Sequence, residues 1–291
     1  MKPTFRESRE TPFQLLLIGL VSALIAANLA AQADQTRSWR GSSSFATEEE
    51  VLEFLRTARV VSKKRIRKGV NQPFRVWLEK GGIEATGVFR DVEVTVARAE
   101  MHGTIRTNYR DDAKFEVAAY ELNRMLGLKL VPPAVLRKVD GRNGSLQIYI
   151  DGAMTEGDRV DRKLNSPRPQ EWALTRQLRW IFDALIHNDD RNLGNSLIDQ
   201  DWNLWLIDHT RSFYPLNQLL RKENLTHIES TLWKQLKGIG QDEVRDRLKT
   251  TLEKREIDAL LKRWELLVRH YEGRIEERGE KRVLFSLAPK L

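Results

Sequence analysis

The feature that most constrains this chain is residues 182–195: Phe182-Asp183-Ala184-Leu185-Ile186-His187-Asn188-Asp189-Asp190-Arg191-Asn192-Leu193-Gly194-Asn195. Asn195 lies five residues after Asp190, and Asp208, within Ile207-Asp208-His209, follows thirteen residues after Asn195. Before this stretch, Leu174, Leu178, Ile181 and Leu185 recur at helical spacing and predict one apolar stripe on a helix over 169–186. After it, Ser196-Leu197-Ile198 and residues 202–207 flank the polar turn Asp199-Gln200-Asp201 and predict a short hairpin. Helix, polar loop, hairpin and second polar loop set the distance between two carboxylates and an amide.

That residue set is the one phosphoryl transfer requires. One carboxylate orients the accepting hydroxyl, and oxygen ligands hold magnesium against phosphates. Any single member could equally serve a solvated loop, a helix cap or a local ion pair. The ordered combination carries the reading. Metal-dependent hydrolysis is the rival chemistry, because His187, Asp189, Asp190 and His209 are transition-metal ligand types. No two histidines stand at the i,i+4 spacing of the zinc-hydrolase helix motif, however.

The start of the chain speaks to location. Lys2, Arg6 and Arg9 precede an apolar run over 15–31, and Ala31-Gln32-Ala33 supplies the small-x-small pattern of a signal peptidase site. Residues 1–33 therefore read as a signal peptide or N-terminal anchor. The run is slightly long for a signal and slightly short for a membrane span. Cleavage and membrane tethering both stay open, and either implies export to the periplasm or the cell exterior. Cysteine is absent, so core burial without disulfides must hold about 250 residues, enough for one two-lobed domain. The net charge is +8, and its one dense basic run is Ser62-Lys63-Lys64-Arg65-Ile66-Arg67-Lys68. Without interleaved aromatics that run argues for a solvated strand edge or the rim of a phosphate-binding cleft, and against nucleic acid as partner.

Residues 34–47 read as a linker rich in Ser, Thr and Gly. A short helix is predicted over 48–57, with Val51, Leu52 and Leu55 on one side. Strand-like segments follow at 59–61, 74–78, 87–90 and 92–96, with turn signals at 68–73 and 80–82. Asp111 and Asp112 precede a helix over 113–126, whose apolar face is Phe115, Ala118, Ala119, Leu122, Met125 and Leu126, and Gly127 ends it. Glu116 borders that face and can point into a cleft; Glu121 is the competing choice. A hairpin at 135–139 and 145–150 follows. In a two-lobed layout its end forms the hinge and places Gln147 to Asp151, with Tyr149, beside an adenine.

Several of these segments resemble one family in order. Residues 115–127 followed by Val131-Pro132-Pro133, and again residues 182–191, resemble the secretory-pathway Golgi casein kinase family. Asp190-Arg191-x-x-x-Asn195 is also similar to the loop of phosphatidylinositol kinases and HipA-type kinases. The likeness runs from about residue 60 to residue 213. It implies an α+β, two-lobed protein-kinase-like fold, with a β-rich N-lobe over 48–151 and a helical C-lobe over 152–291, together with ATP and Mg2+ or Mn2+. Under it Asp190 orients the acceptor hydroxyl, Arg191 supports the loop, Asn195 and Asp208 hold the metal, and Glu116 braces the phosphate-binding cation. That cation is a lysine in the family. Here the matching pair is Phe89-Arg90, and Lys80 in the preceding turn is the poorer candidate.

The remainder reads as helices starting near 225, at 243–252 and at 256–271. In the last, Ile257, Leu260, Leu261, Trp264, Leu267 and Val268 repeat at helical intervals. The function expected is transfer of the γ-phosphoryl group of ATP to a hydroxyl on a protein, glycan or lipid. The alternatives are a nucleotide-binding pseudokinase with a signalling or scaffold role, or an enzyme that transfers AMP.

Overall fold

Thr47 starts the first element. Its hydroxyl accepts from Glu50 N at 3.2 Å, and Glu48, Glu49 and Glu50 set negative charge on the free amides of the first turn of α1 (Glu48–Thr57). Val51, Leu52, Phe54 and Leu55 are buried along one stripe, and Phe45 packs edge-on against Phe54. The computed structural model describes residues 45–66, 72–101 and 103–287. The expected signal or anchor at 1–33, most of the expected linker, and Arg67 and Lys68 of the basic run lie outside the described residues.

β1 (Arg59–Arg65), β2 (Phe74–Lys80) and β3 (Ile83–Arg90) form a meander. A five-stranded antiparallel sheet in the order β1-β2-β3-β7-β6 is completed by β6 (Ala134–Val139) and β7 (Arg142–Ile148). Asp140 and Gly141 join these two with φ of 46° and 80°, the left-handed pair that a two-residue hairpin turn needs. The basic residues of β1 lie on the sheet edge and are exposed, as the sequence predicts for a solvated strand edge.

The segment expected as a fourth strand of the meander leaves the sheet instead. β4 (Glu93–Met101) pairs with β5 (Thr104–Asp112) as a separate two-stranded ribbon inserted between β3 and α2 (Lys114–Met125). Asp111 and Asp112 thus end a strand, where the sequence predicted the start of a helix. Asp111 pairs with the distant Arg211 at 2.9 Å, and Asp112 with its near neighbour Arg110, which also reaches Glu256 at 2.7 Å. Asp112 still serves the helix, because its Oδ1 accepts from Lys114 N at 2.8 Å.

From residue 152 onward, α3 (Glu156–Asp161) and α4 (Pro169–Ile186) follow β8 (Met154–Thr155). The predicted hairpin forms as β9 (Ser196–Ile198) and β10 (Leu204–Leu206). Residues 225–228, expected to begin a helix, place Ile228 in β11 (Ile228–Glu229), which pairs in parallel with β12 (Leu284–Phe285). The helix α5 (Ser230–Gly238) starts after it, where the Glu229 side chain accepts from Leu232 N at 2.8 Å. α6 (Gln241–Leu248), the long α7 (Lys254–Arg278) and α8 (Glu280–Val283) complete the chain. α7 buries Ile257, Leu260, Leu261, Trp264 and Leu267. It also buries Arg263, whose donors reach back to the end of α4. Among the described residues no helix is long and apolar enough to cross a membrane.

Candidate functional site

α4 stops at His187, which turns the chain with φ 53°. Arg263 from α7 donates to the carbonyls of Leu185 at 2.8 Å, Tyr214 at 3.1 Å and Leu216 at 2.6 Å. The long helix therefore satisfies a free carbonyl at the end of α4 and ties residues 214–216 to it. Within that loop Asp190 N donates to Asn188 Oδ1 at 3.1 Å. Arg191 turns inward. Its Nε and Nη2 meet Asp183 at 3.1 and 3.0 Å, and its Nη1 donates to the carbonyls of Asn195 at 2.5 Å and Ile207 at 2.7 Å. Both side chains of the Arg191–Asp183 pair are 2 % exposed. One guanidinium thereby ties the Asp190 loop to the residue before Asp208, and Ile207 N adds a direct bond to Asn195 O at 3.2 Å. Asn195 Nδ2 donates to Asp190 O at 3.2 Å, which leaves its amide oxygen as the acceptor.

Arg90, at the end of β3, meets Glu116 from α2 with Nε 3.4 Å from Oε1, and the same Nε lies 3.9 Å from Asp208 Oδ1. Glu116 is fully buried. It also accepts from His209 N at 2.8 Å and lies 3.1 Å from His209 Nδ1. Burial works to raise the Glu116 pKa, but the charge of Arg90 and the hydrogen bonds from His209 outweigh it and hold the carboxyl well below its usual range. Asp208 adopts φ 59°, a left-handed conformation that Asp tolerates better than most residues. Its pKa is raised, chiefly by desolvation, with Arg90 opposing. The competing candidates are occupied elsewhere: Glu121 pairs with Arg247 at 3.3 Å, and Lys80 with Glu53 and Thr57.

Gln147 and Tyr149 differ in how they are used. Gln147 is buried and its Nε2 donates to Pro132 O at 3.3 Å. Tyr149 N donates to Thr86 O at 2.9 Å, and its ring lies 4.1 Å from the guanidinium of Arg75. His187 is buried, and the Nδ1 of His209 faces Glu116. Among the described residues no group of three or more acidic or histidine side chains is arranged to hold a metal. The donor set the rival hydrolase would need is thus not assembled.

Two arginines that sequence reasoning missed belong to the site. Arg211, three residues after Asp208, bridges Asp111 and Asp190, at 2.9 and 3.3 Å. Arg106 of β5 pairs with Asp189 and stacks on Tyr214. Thr210 O accepts from Asp112 N at 2.9 Å, so the ribbon is sewn to both loops. Only the short Asp208–Arg211 spacing was a usable signal; Arg106 sits in a segment with no motif.

The residues fit a metal–nucleotide pair. Asn195 and Asp208 offer one amide and one carboxylate oxygen, which suits a magnesium-type ion completed by phosphate oxygens and water. Arg90 Nη1 is buried with no hydrogen-bond partner among the described residues, a spare donor beside Asp208 that an anionic oxygen would satisfy.

No family model matches the chain, and no curated protein sequence does. Solved structures do match. Hydra Fam20, solved with a sugar, superposes with a TM-score of 0.61 at 17% identity, over 89% of this chain and 98% of that one. The Golgi casein kinase superposes with a TM-score of 0.59 at 14% identity, covering 81% of this chain and 76% of that one. Its form with Mn and ADP bound gives 0.57 at 15% identity, over 84% and 80%. At such identities the likeness establishes the fold, and this chain has the two-lobed kinase-like architecture of Fam20 and the Golgi casein kinase.

Proposed function

We propose that this chain is an exported atypical kinase, with lobes over 48–151 and 152–291, that transfers the γ-phosphoryl group of ATP to a hydroxyl acceptor. The observation that carries the reading is the Arg191 clamp, which joins the carbonyls of Asn195 and Ile207 and so brings Asp190, Asn195 and Asp208 onto one support. Bound ATP with Mg2+ or Mn2+ supplies the phosphoryl group and the charge neutralisation. Asn195 and Asp208 would hold the ion. Arg90, braced by Glu116, presents its spare donor to phosphate oxygens. Asp190 orients the acceptor hydroxyl and takes its proton as the new P–O bond forms and the bond from the γ-phosphorus to the β,γ-bridging oxygen breaks, releasing ADP. Arg211 keeps the Asp190 carboxylate in place. The acceptor is a protein, glycan or lipid hydroxyl. The apolar run at 15–31 and its small-x-small end support export, with tethering to the membrane if that segment is retained.

The test is label transfer from ATP by the full chain with Mn2+ or Mg2+, beside Asp190→Ala and Asp208→Asn. Transfer of γ-label to casein, to itself or to water, lost in both variants, is the expected result. Label arriving from the α-phosphate only would identify AMP transfer instead. Metal-dependent binding without transfer would make the chain a pseudokinase. Transfer that survives in Asp190→Ala sinks the assignment of that residue.

A further inference from the structure

β3 turns alternate side chains to the two faces of the main sheet. Phe89 enters the core, while Arg90 reaches Asp208 and Glu116 in the cleft. Thr86 and Val88 share the face of Arg90 by alternation. Antiparallel pairing adds Arg75 and Gln147, both directly opposite Val88, to that face. The Arg75 guanidinium does not point at the Asp208 end. It lies 4.1 Å from the Tyr149 ring centre and 5.5 Å from that of Trp77, with Nη2 3.5 Å from Thr86 Oγ1 and 3.2 Å from Asp151 Oδ1. Thr86 is four residues before Arg90, a separation of about 13 Å along an extended strand, comparable to the reach from phosphates to base in an extended nucleotide.

We infer that Arg75 is the nucleobase-stacking residue of this site, its guanidinium held at the hinge end for the base of a bound nucleotide to lie against. This rests on the kinase reading and assigns the end of the site opposite Arg90. A planar guanidinium stacks on π-systems and is more weakly hydrated than an ammonium. Contacts to Tyr149 and Asp151 already hold the guanidinium in place, so little ordering is left for the ligand to impose. The side chain keeps 34 % of its surface open, and its buried Nε has no hydrogen-bond partner among the described residues.

Two probes separate this role from a general attraction of phosphate: Mn2+ with ADP, and Mn2+ with pyrophosphate, titrated calorimetrically into the full chain. Arg75→Ala is expected to weaken ADP about tenfold or more, the size of one stacked base, while pyrophosphate affinity stays within about twofold. Arg75→Lys keeps the charge and loses the plane, so it should behave as Arg75→Ala. Pyrophosphate binding also reports that the variants are folded. Equal loss for both probes, rescue by Lys, unchanged ADP affinity or tighter ADP binding would each overturn the assignment. A wild-type chain that binds neither probe rejects the nucleotide-binding reading itself, and the Arg75 role with it. ADP binding that is indifferent to Arg75 rejects only the latter.

Discussion

Arg90 and Glu116 meet as a buried pair, 3.4 Å apart at Nε and Oε1, with side-chain exposures of 7 % and 0 %. The pair joins the sheet to α2. Breaking it leaves a desolvated charge behind, which costs far more than a surface pair is worth. Arg90→Met should lower stability by about 3 kcal/mol and abolish nucleotide-dependent thermal stabilisation. Arg90→Lys keeps the cation and should retain nucleotide binding. Denaturant unfolding and thermal shift with Mn2+–ATP check both, and a Lys variant as impaired as Met would mean that the guanidinium fork itself is required.

Arg191 is the clamp between the two functional loops. Arg191→Met removes its bonds to Asp183 and to two carbonyls, and should cost about 3 kcal/mol or more, because the buried Asp183 loses its hydrogen-bonded partner. Arg191→Lys cannot reach all three acceptors and should fall between Met and wild type. The loss of transfer should exceed the loss of nucleotide binding, since the variant loosens Asp190 relative to Asp208. Parallel measurement of unfolding midpoints, ADP affinity and initial rates tests this order.

Asp208 offers a carboxylate in a left-handed backbone conformation. Asp208→Asn tolerates that conformation and should leave the unfolding midpoint within about 1 kcal/mol of wild type. Its thermal stabilisation by Mn2+–ATP over ATP alone should disappear. A metal-dependent shift that persists in this variant would remove Asp208 from the metal-holding set.

His187 sets a pH dependence. Burial, helped by the positive charge of Arg263, lowers its pKa from 6.5 to about 4. The folded protein holds it neutral, whereas the unfolded chain protonates it near pH 6.5. Stability is therefore fully present above about pH 6.5 and falls as the pH drops towards 4, by up to about 3 kcal/mol from this group. The Glu116 pKa is lowered as well, but against the effect of burial, by the charge of Arg90 and the hydrogen bonds from His209, so its contribution is lost only as the pH falls below the ordinary glutamate range. His187→Asn accommodates the left-handed backbone and should flatten the stability profile between pH 6.5 and 4. An unchanged slope would assign that window to other groups.

Local pattern was enough for much of this molecule. The stripe Leu174, Leu178, Ile181, Leu185 located α4, and turn residues located the hairpin that separates Asn195 from Asp208, because hydrophobic period and turn chemistry are short-range properties. The acidic and amide spacing from Asp190 to Asp208 pointed to one kind of chemistry for the same reason. Local pattern could not say that residues 93–112 leave the main sheet as a ribbon, or that Asp111 ends a strand. Those outcomes depend on Arg211 and the Thr210 carbonyl, both distant in sequence. It could not choose between Glu116 and Glu121 either. Both fit the helix, and only the approach of Arg90 and His209 gives one of them a buried partner. The sequence by itself determined which residues could do chemistry and on which elements they lie. The tertiary structure decided which of them share a low-dielectric space, where an ion pair or a spare donor acquires its energetic weight.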